Sequence, residues 1–263
     1  MRTDAELDDL LQLATAIAGA SGALLREHFG AVHRVETKSS ATDPVSEADR
    51  ASESLLVASL RDTRPRDGLL GEEGADREGS SGLRWVLDPL DGTVNYLYGL
   101  PTWTVSVACE ASGGDDWAAV VGVVHDPLRH ETFRACRGRG AWIGDRPLKV
   151  NDPVPLERAL VSTGFAYSPE VRADQAAVLA DLLPRIRDIR RGGSAALDLC
   201  YVAAGRYDGY YETSTSRWDW AAGSLIAAEA GAVVTHVPVP GGGSGLIASG
   251  PALHDPLLRA VAS

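Results

Sequence analysis

A short apolar strand that delivers two acids to a turn is the feature that most constrains this chain. Residues 85–87 read Trp-Val-Leu, as in a buried strand, and Asp88 and Asp91 follow at once in a turn set by Pro89 and Gly92. Two carboxylates at one strand end make a rigid pair of oxygen donors, which suits a hard divalent cation. A plain surface turn uses the same residue types, so this segment alone leaves both interpretations open.

Two further places set acids beside apolar residues. Glu72 follows a short apolar run, and Asp219 lies between Trp218 and Trp220 where a helix is predicted to begin. An ionised, unpaired Asp in such surroundings costs on the order of several kcal/mol, so it needs a cation or hydrogen-bond donors. A solvated acidic loop also explains Glu72, and helix capping also explains Asp219.

Hydrophobic periodicity places these acids on elements of an α+β fold. Apolar residues at helical spacing predict a helix over 4–28, and Ser46 with Asp49 resembles a capping box that opens a second helix. Alternation predicts strands at 103–108, 118–125 and 131–134, joined by hairpin-length connections. We therefore predict a largely antiparallel sheet with helices in the first part of the chain.

Beyond residue 150 the pattern changes. Helices are predicted at 173–183, 194–204 and 218–230, with strands at 186–190, 209–212 and 232–236 between them and a loop at 238–245. The turn-rich segment 136–152 precedes this change. We predict an N-terminal α+β half, 1–150, that carries most of the acids, and a C-terminal α/β half, 151–263.

Composition limits the partners. The formal net charge of −11 repels nucleic-acid backbones, and no apolar run approaches the roughly 18 residues of a membrane helix. The N-terminus lacks the basic and apolar regions of a secretory signal, and the three cysteines have no CxxC spacing. We expect a cytoplasmic protein with free thiols that binds neither nucleic acid nor membrane.

Three motifs in order carry a family resemblance: GEE at 71–73, DPLDGT at 88–93 and WDWAAG at 218–223. Together with KSS at 38–40, VSEAD at 45–49, RRGGSAALDLC at 190–200 and YYE at 210–212, they resemble the inositol monophosphatase family. That family lies within the magnesium-dependent, lithium-sensitive phosphatases that include fructose-1,6-bisphosphatases. The resemblance covers nearly the whole chain. It implies a layered αβαβα sandwich, as in sugar phosphatases, a phosphate monoester hydrolase and a homodimer.

The resemblance also implies a set of metal ligands. Glu72, Asp88 and the backbone carbonyl of Leu90 would bind one Mg²⁺, and Asp88, Asp91 and Asp219 would bind a second. A third, weaker ion would lie near Glu72. Carboxylates about 4 Å apart repel by roughly 4 kcal/mol at an effective dielectric of 20, so the cluster is expected to need these cations.

Catalytic and substrate-binding residues follow from the same resemblance. Thr93 and Asp49 would activate the attacking water, and Glu72 would help to position it. Backbone amides of Gly92 and Thr93 would hold the phosphate, and Glu212 would accept a hydrogen bond from a substrate hydroxyl. The substrate-binding set implied in this way is Asp91, Gly92, Thr93, Gly193, Ser194, Ala195, Glu212 and Asp219.

The sequence leaves several alternatives open. The expected activity is hydrolysis of myo-inositol 1-phosphate. The alternatives in the same superfamily are a histidinol-phosphate phosphatase, a bisphosphate nucleotidase and a fructose-1,6-bisphosphatase. Arg190 and Arg191 could reach a substrate or a dimer partner or be solvated, and Trp220 could narrow the pocket or fill the core. An alternative of another class is a non-catalytic regulatory protein that binds a partner protein or RNA.

Overall fold

Helices and strands alternate throughout the part of the chain that the computed structural model describes, residues 2–30, 35–37, 44–114, 116–238 and 244–262. The α-helices are α1 Asp4–His28, α2 Glu47–Thr63, α3 Thr93–Leu97, α4 Pro169–Leu182, α5 Ala195–Ala203, α6 Arg217–Glu229 and α7 Pro251–Val261. The strands are β1 Val35–Thr37, β2 Pro44–Ser46, β3 Gly68–Gly71, β4 Asp76–Arg77, β5 Leu83–Asp91, β6 Thr104–Ser112, β7 Trp117–Asp126, β8 Glu131–Cys136, β9 Gly140–Ile143, β10 Arg146–Pro147, β11 Leu160–Thr163, β12 Asp188–Arg190, β13 Gly209–Thr215, β14 Val233–Pro238 and β15 Ser244–Ser249.

Local sequence signals explain where the first helices begin. Thr3 caps α1 in a reciprocal capping box with Glu6, and α1 has the predicted bounds. Helix α2 begins at Glu47, so Asp49 lies in its first turn as expected. The KSS motif lies outside the described residues, as does the Asp43 side of the turn before α2.

Two sheets form the body of the molecule. The eight-stranded sheet has the order β10-β9-β8-β7-β6-β5-β3-β4 and is antiparallel except where β3 pairs with β5. The five-stranded sheet has the order β12-β11-β13-β15-β14, with parallel pairs around β11 and antiparallel pairs around β15. The largely antiparallel first sheet is confirmed. Strands β11 and β15 and helix α7 were not predicted from the sequence.

The helices complete a layered αβαβα sandwich, which confirms the predicted fold class. Helices α1 and α2 pack on one face of the large sheet, α5 and α6 lie between the sheets, and α7 packs on the outer face of the small sheet beside α4. Gly122 of β7 permits the central contact, because a Cβ there would lie 2.8 Å from the carbonyl oxygen of Ala222. One apolar core runs from β5 to β15 through this middle layer. The division of the chain into two halves at residue 150 stays a prediction.

Two further observations concern the apolar character of the helices and the state of the cysteines. None of the described helices combines the length and the apolar character that a membrane crossing requires. Cys109, Cys136 and Cys200 are buried free thiols, as expected, and burial raises the thiol pKa of each.

Candidate active site

The acids at 88 and 91 lie within the last part of β5, where the sequence pattern predicts a turn. The pairing of β5 with β6 is regular as far as Asp88 and resumes at Asp91 with a register shift. The Leu90 amide donates to Asp88 Oδ1 at 3.0 Å within this irregular segment. Irregular strand ends re-aim side chains, and here both carboxylates reach the same cavity.

Gly92 joins this strand to the short helix α3. Its φ of 98° lies in the left-handed region, which favours glycine. A Cβ would lie 2.9 Å from the Thr102 carbonyl oxygen and 3.2 Å from that of Gly193. The backbone at 92 is therefore wedged between a loop of the first sheet and the loop before α5, and only glycine fits.

Helix α2 supports the segment from its buried face. The Thr93 hydroxyl lies 3.1 Å from Asp49 Oδ1 and 3.1 Å from the Leu90 carbonyl oxygen, and Asp49 is fully buried. Ser52, one turn further along α2, donates its hydroxyl to the Pro89 carbonyl at 2.8 Å. The predicted Thr93 and Asp49 thus lie together, and Ser52 is a support that the sequence analysis missed.

Helix α5 holds Asp91 from the other side. Asp91 Oδ2 accepts from the Ser194 hydroxyl at 2.6 Å and from the Ala196 amide at 2.8 Å. Ser194 caps α5, so the positive end of the helix faces this carboxylate. The Ser194 side chain is buried on Asp91 and does not line the cavity, whereas Gly193 and Ala195 do. A direct substrate contact by Ser194 stays a prediction.

Asp219 combines the two roles that the sequence left open. Its Oδ2 accepts from the Ser216 amide at 2.6 Å in a capping box at the start of α6. The same side chain lines the cavity and raises the pKa of Asp88. Helix capping therefore fixes the position of Asp219 at the edge of the acidic cluster.

One cavity of about 450 Å³ collects most of the predicted site. Its lining includes the acids and the end of β5, the loop at 164–168 and Glu212. Asp49 and Ser194 do not line it. The predicted residues that line the cavity are Glu72, Asp88, Leu90, Asp91, Gly92, Thr93, Gly193, Ala195, Glu212 and Asp219.

Crowding of the acids shifts their titration. Burial raises the pKa of Asp88 well above its ordinary value, and Glu72, Asp91 and Asp219 raise it further. Burial raises the pKa of Asp91 to about 6, against the hydrogen bond from Ser194, and burial also raises that of Asp219. Burial is the largest cause of each shift, and the neighbouring carboxylates add to it.

The cluster fits a hard cation in donor chemistry and in charge. All the atoms that it offers to a metal are oxygens. The hydrogen bonds from Ser194 and Ala196 both end on Oδ2 of Asp91 and not on Oδ1. In the described part of the chain, no three His, Cys, Asp or Glu side chains are grouped closely enough to hold a metal as they stand. The individual ligand assignments stay predictions.

Glu212 gives the cavity a group that suits a polar alcohol. Glu212 accepts from the Tyr210 hydroxyl at 3.0 Å and rests against Gly164, where a Cβ would overlap its carboxylate oxygens. Burial raises the pKa of Glu212 to about 7, while Tyr210 and the guanidinium of Arg191 lower it. Glu212 is thus a half-buried acceptor with a pKa near neutral pH.

The structure separates the residues whose roles were open. Arg190 is exposed and pairs with Asp188 at 2.6 Å, whereas Arg191 lines the cavity. Trp220 does not line the cavity. It packs on the core between the guanidinium of Arg217, 4.7 Å from its ring centroid, and His236, 4.4 Å away. Of the two tryptophans that flank Asp219, it is Trp218 that reaches the cavity.

Comparisons with known proteins agree with this arrangement. The profile of the inositol monophosphatase family matches residues 6–262. The inositol-1-monophosphatase of Mycobacterium leprae is 47% identical over 240 residues, which cover 86% of this chain and 81% of that protein. The Nus factor SuhB of Pseudomonas aeruginosa is 41% identical over 243 residues, covering 87% and 85%. The crystal structure of the extragenic suppressor protein suhB from Bartonella henselae superimposes with a TM-score of 0.88 at 37% identity, over 96% of this chain and 98% of that chain.

The sandwich fold and these relatives define a phosphoric monoester hydrolase. The chain belongs to the inositol monophosphatase family, whose enzymes are generally metal-dependent. The predicted family is therefore confirmed. The alternative of a regulatory protein that binds a partner protein or RNA stays open.

Proposed function

We propose that this enzyme hydrolyses myo-inositol 1-phosphate to inositol and phosphate with Mg²⁺ at the acidic cluster, in the cytoplasm and as a homodimer. The observation that carries the proposal is the cavity itself. It brings the carboxylates at the end of β5 and Glu212 into one space, so that a phosphate and a polyol each meet suitable chemistry. The M. leprae relative, which bears the name inositol-1-monophosphatase, supports this substrate.

Glu72, Asp88, Asp91, Asp219 and the Leu90 carbonyl would hold two to three Mg²⁺ ions. Bound there, Mg²⁺ would offset the charge of the phosphoryl oxygens and of the leaving alkoxide and would lower the pKa of water. Lithium inhibition is expected from the family resemblance. A panel of divalent metals would test the choice of magnesium, because hard oxygen ligands also accept calcium and manganese.

Thr93 and Asp49 would move the proton of the attacking water. The Thr93 hydroxyl borders the cavity and faces the buried Asp49, so it can accept a proton from water while donating its own to the carboxylate. Glu72 would help to orient that water. The amides of Gly92 and Thr93 would hold the phosphate, because the first amides of a helix have no partner within the helix.

Substrate choice would rest on Glu212 with Gly193 and Ala195. A substrate panel tests it: inositol 1-phosphate, histidinol phosphate, fructose 1,6-bisphosphate and an adenosine bisphosphate, ranked by kcat/KM. The proposal predicts inositol 1-phosphate first. A higher rank for histidinol phosphate or for either bisphosphate would contradict the proposed substrate while leaving the phosphatase class intact.

Replacing Glu212 by Gln should raise KM for inositol 1-phosphate about tenfold, because one lost charge-assisted hydrogen bond is worth about 1.5 kcal/mol. Hydrolysis of p-nitrophenyl phosphate, which offers no hydroxyls, should change little. The ionised Glu212 carboxylate accepts hydrogen bonds on both oxygens, whereas the protonated form also carries a donor. Wild-type KM for inositol 1-phosphate should therefore fall as pH rises through about 7, where Glu212 loses its proton. Steady-state kinetics from pH 6 to about 8 check both points. Equal losses on the two substrates would contradict a role in polyol recognition.

A further inference from the structure

Helix α2 carries a third buried polar residue on the face that supports the active site. Asp49, Ser52 and Glu53 follow the i, i+3, i+4 spacing of one helix face, and all three are buried. Asp49 contacts Thr93, and Ser52 contacts the Pro89 carbonyl. Each of these two residues therefore holds one part of the catalytic segment.

Glu53 binds a different segment, the turn at 71–75 that carries Glu72. Its Oε2 accepts from the Glu73 amide at 2.9 Å, and its Oε1 accepts from the Ala75 amide at 3.1 Å. Gly71 permits this approach, because a Cβ there would overlap Oε2. One carboxylate thus clamps two amides that follow Glu72 in the turn.

Two backbone hydrogen bonds hold the first residues of the turn. The Gly71 amide donates to the Ala75 carbonyl at 2.6 Å, which closes the turn, and the Glu72 amide reaches the Leu87 carbonyl at 3.3 Å. These bonds fix the start of the turn against β5. The bonds from Glu53 fix its far side, so the Glu72 side chain leaves the backbone between two anchored points.

A carboxylate is the side chain that this geometry requires. Burying a charge costs free energy, so burial raises the pKa of Glu53, while the hydrogen bonds from the Glu73 and Ala75 amides lower it. Two amide donors need two acceptors, and a glutamine of the same length offers one acceptor and one donor group. The buried charge is therefore matched to the two amides.

We propose that Glu53 is a positioning residue that fixes the direction of the Glu72 carboxylate toward the metal-binding cluster. The proposal rests on the role of Glu72 proposed above. Groups that orient a metal ligand typically affect metal affinity by about 10- to 100-fold when they are changed. Loss of the clamp should therefore appear as weaker metal binding, beyond any loss of folding stability.

The test compares Glu53→Gln with wild type and with Glu47→Gln, the same change at an exposed position of α2. Two quantities are measured: the Mg²⁺ concentration that raises Tm by a fixed increment above its metal-free value, and the one that half-saturates phosphate release. We expect both to rise at least about tenfold in Glu53→Gln and to stay at the wild-type value in Glu47→Gln. A lower Tm without Mg²⁺ but unchanged half-saturation would reduce Glu53 to a folding role and overturn the proposal.

Gly71→Ala gives a second route to the same answer, because its Cβ would overlap Glu53 Oε2 and lie 2.9 Å from the Ala75 Cβ, so that the clamp is disturbed without removing the charge. It should weaken Mg²⁺ half-saturation in the same direction, and it decides the matter if Glu53→Gln does not fold. A Gly71→Ala protein with wild-type Mg²⁺ half-saturation would count against the proposal. If wild type itself shows no response to Mg²⁺, the proposed function fails. If wild type responds and neither variant differs from it, only the role of Glu53 fails.

Discussion

Asp91→Asn should lower turnover of inositol 1-phosphate by on the order of 10³-fold while the protein stays folded. Asp91 is the acid that α5 holds most directly, through Ser194 and Ala196. Asn can still accept one of these bonds but carries no charge for a cation, so several kcal/mol of transition-state stabilisation should disappear. Circular dichroism and kcat, compared with those of the exposed Asp62→Asn variant, measure the two effects separately.

The same variant, although less active, should leave the metal-free protein at least as stable as wild type. The pKa of Asp91 is raised from 3.8 to about 6, so between these values the folded state binds more protons than the unfolded state. Metal-free wild type should therefore lose stability as pH rises from about 4 to about 6. Asp91→Asn removes this contribution, and its metal-free Tm at pH 7 should be at least as high as that of wild type. Near-normal activity, or a large fall in the metal-free Tm, would contradict the proposed role of Asp91.

Gly92→Ala should damage both folding and catalysis. Left-handed backbone costs an ordinary residue about 1–2 kcal/mol, and forcing a methyl group against backbone oxygens adds about 1–3 kcal/mol. The new Cβ would meet the carbonyl oxygens of Thr102 and Gly193. Relief of that clash should displace Thr93 from Asp49, so kcat should fall together with the free energy of unfolding.

Gly99→Ala is the matched control for this substitution. Gly99 also has a positive φ, 69°, but a Cβ on this residue would have no atom within 4 Å, so only the backbone strain applies. Urea denaturation should show a clearly smaller loss for Gly99→Ala, and its kcat should stay near wild type. Equal losses of stability in the two variants would show that the contacts of Gly92 with both loops do not matter.

The sequence was sufficient where one segment contains the whole signal. The periodicity of its apolar residues predicted the correct bounds of α1. The acids at 88 and 91 were found because an apolar strand leads directly into them. The family motifs then predicted which distant segments join them, and the cavity contains most of those residues.

The sequence was insufficient where a contact joins segments that are far apart in the chain. Ser52 and Glu53 look like ordinary polar positions of a helix, and only the folded chain shows that they reach Pro89 and the turn at 71–75. Strand β15 follows a glycine-rich segment, which obscured its start, and the loop predicted at 238–245 is partly replaced by β14 and β15. Trp220 could not be placed in the core until His236 and Arg217 were seen around it.

The central claim is that the carboxylates around Asp88 hold Mg²⁺ for phosphate ester hydrolysis. Its most direct test is phosphate release from inositol 1-phosphate as Mg²⁺ is titrated into EDTA-treated enzyme, with Asp91→Asn in parallel. We predict no release in EDTA, saturable recovery with Mg²⁺ in wild type, and little recovery in the variant. Release that persists in EDTA, or equal recovery in both proteins, would contradict the account.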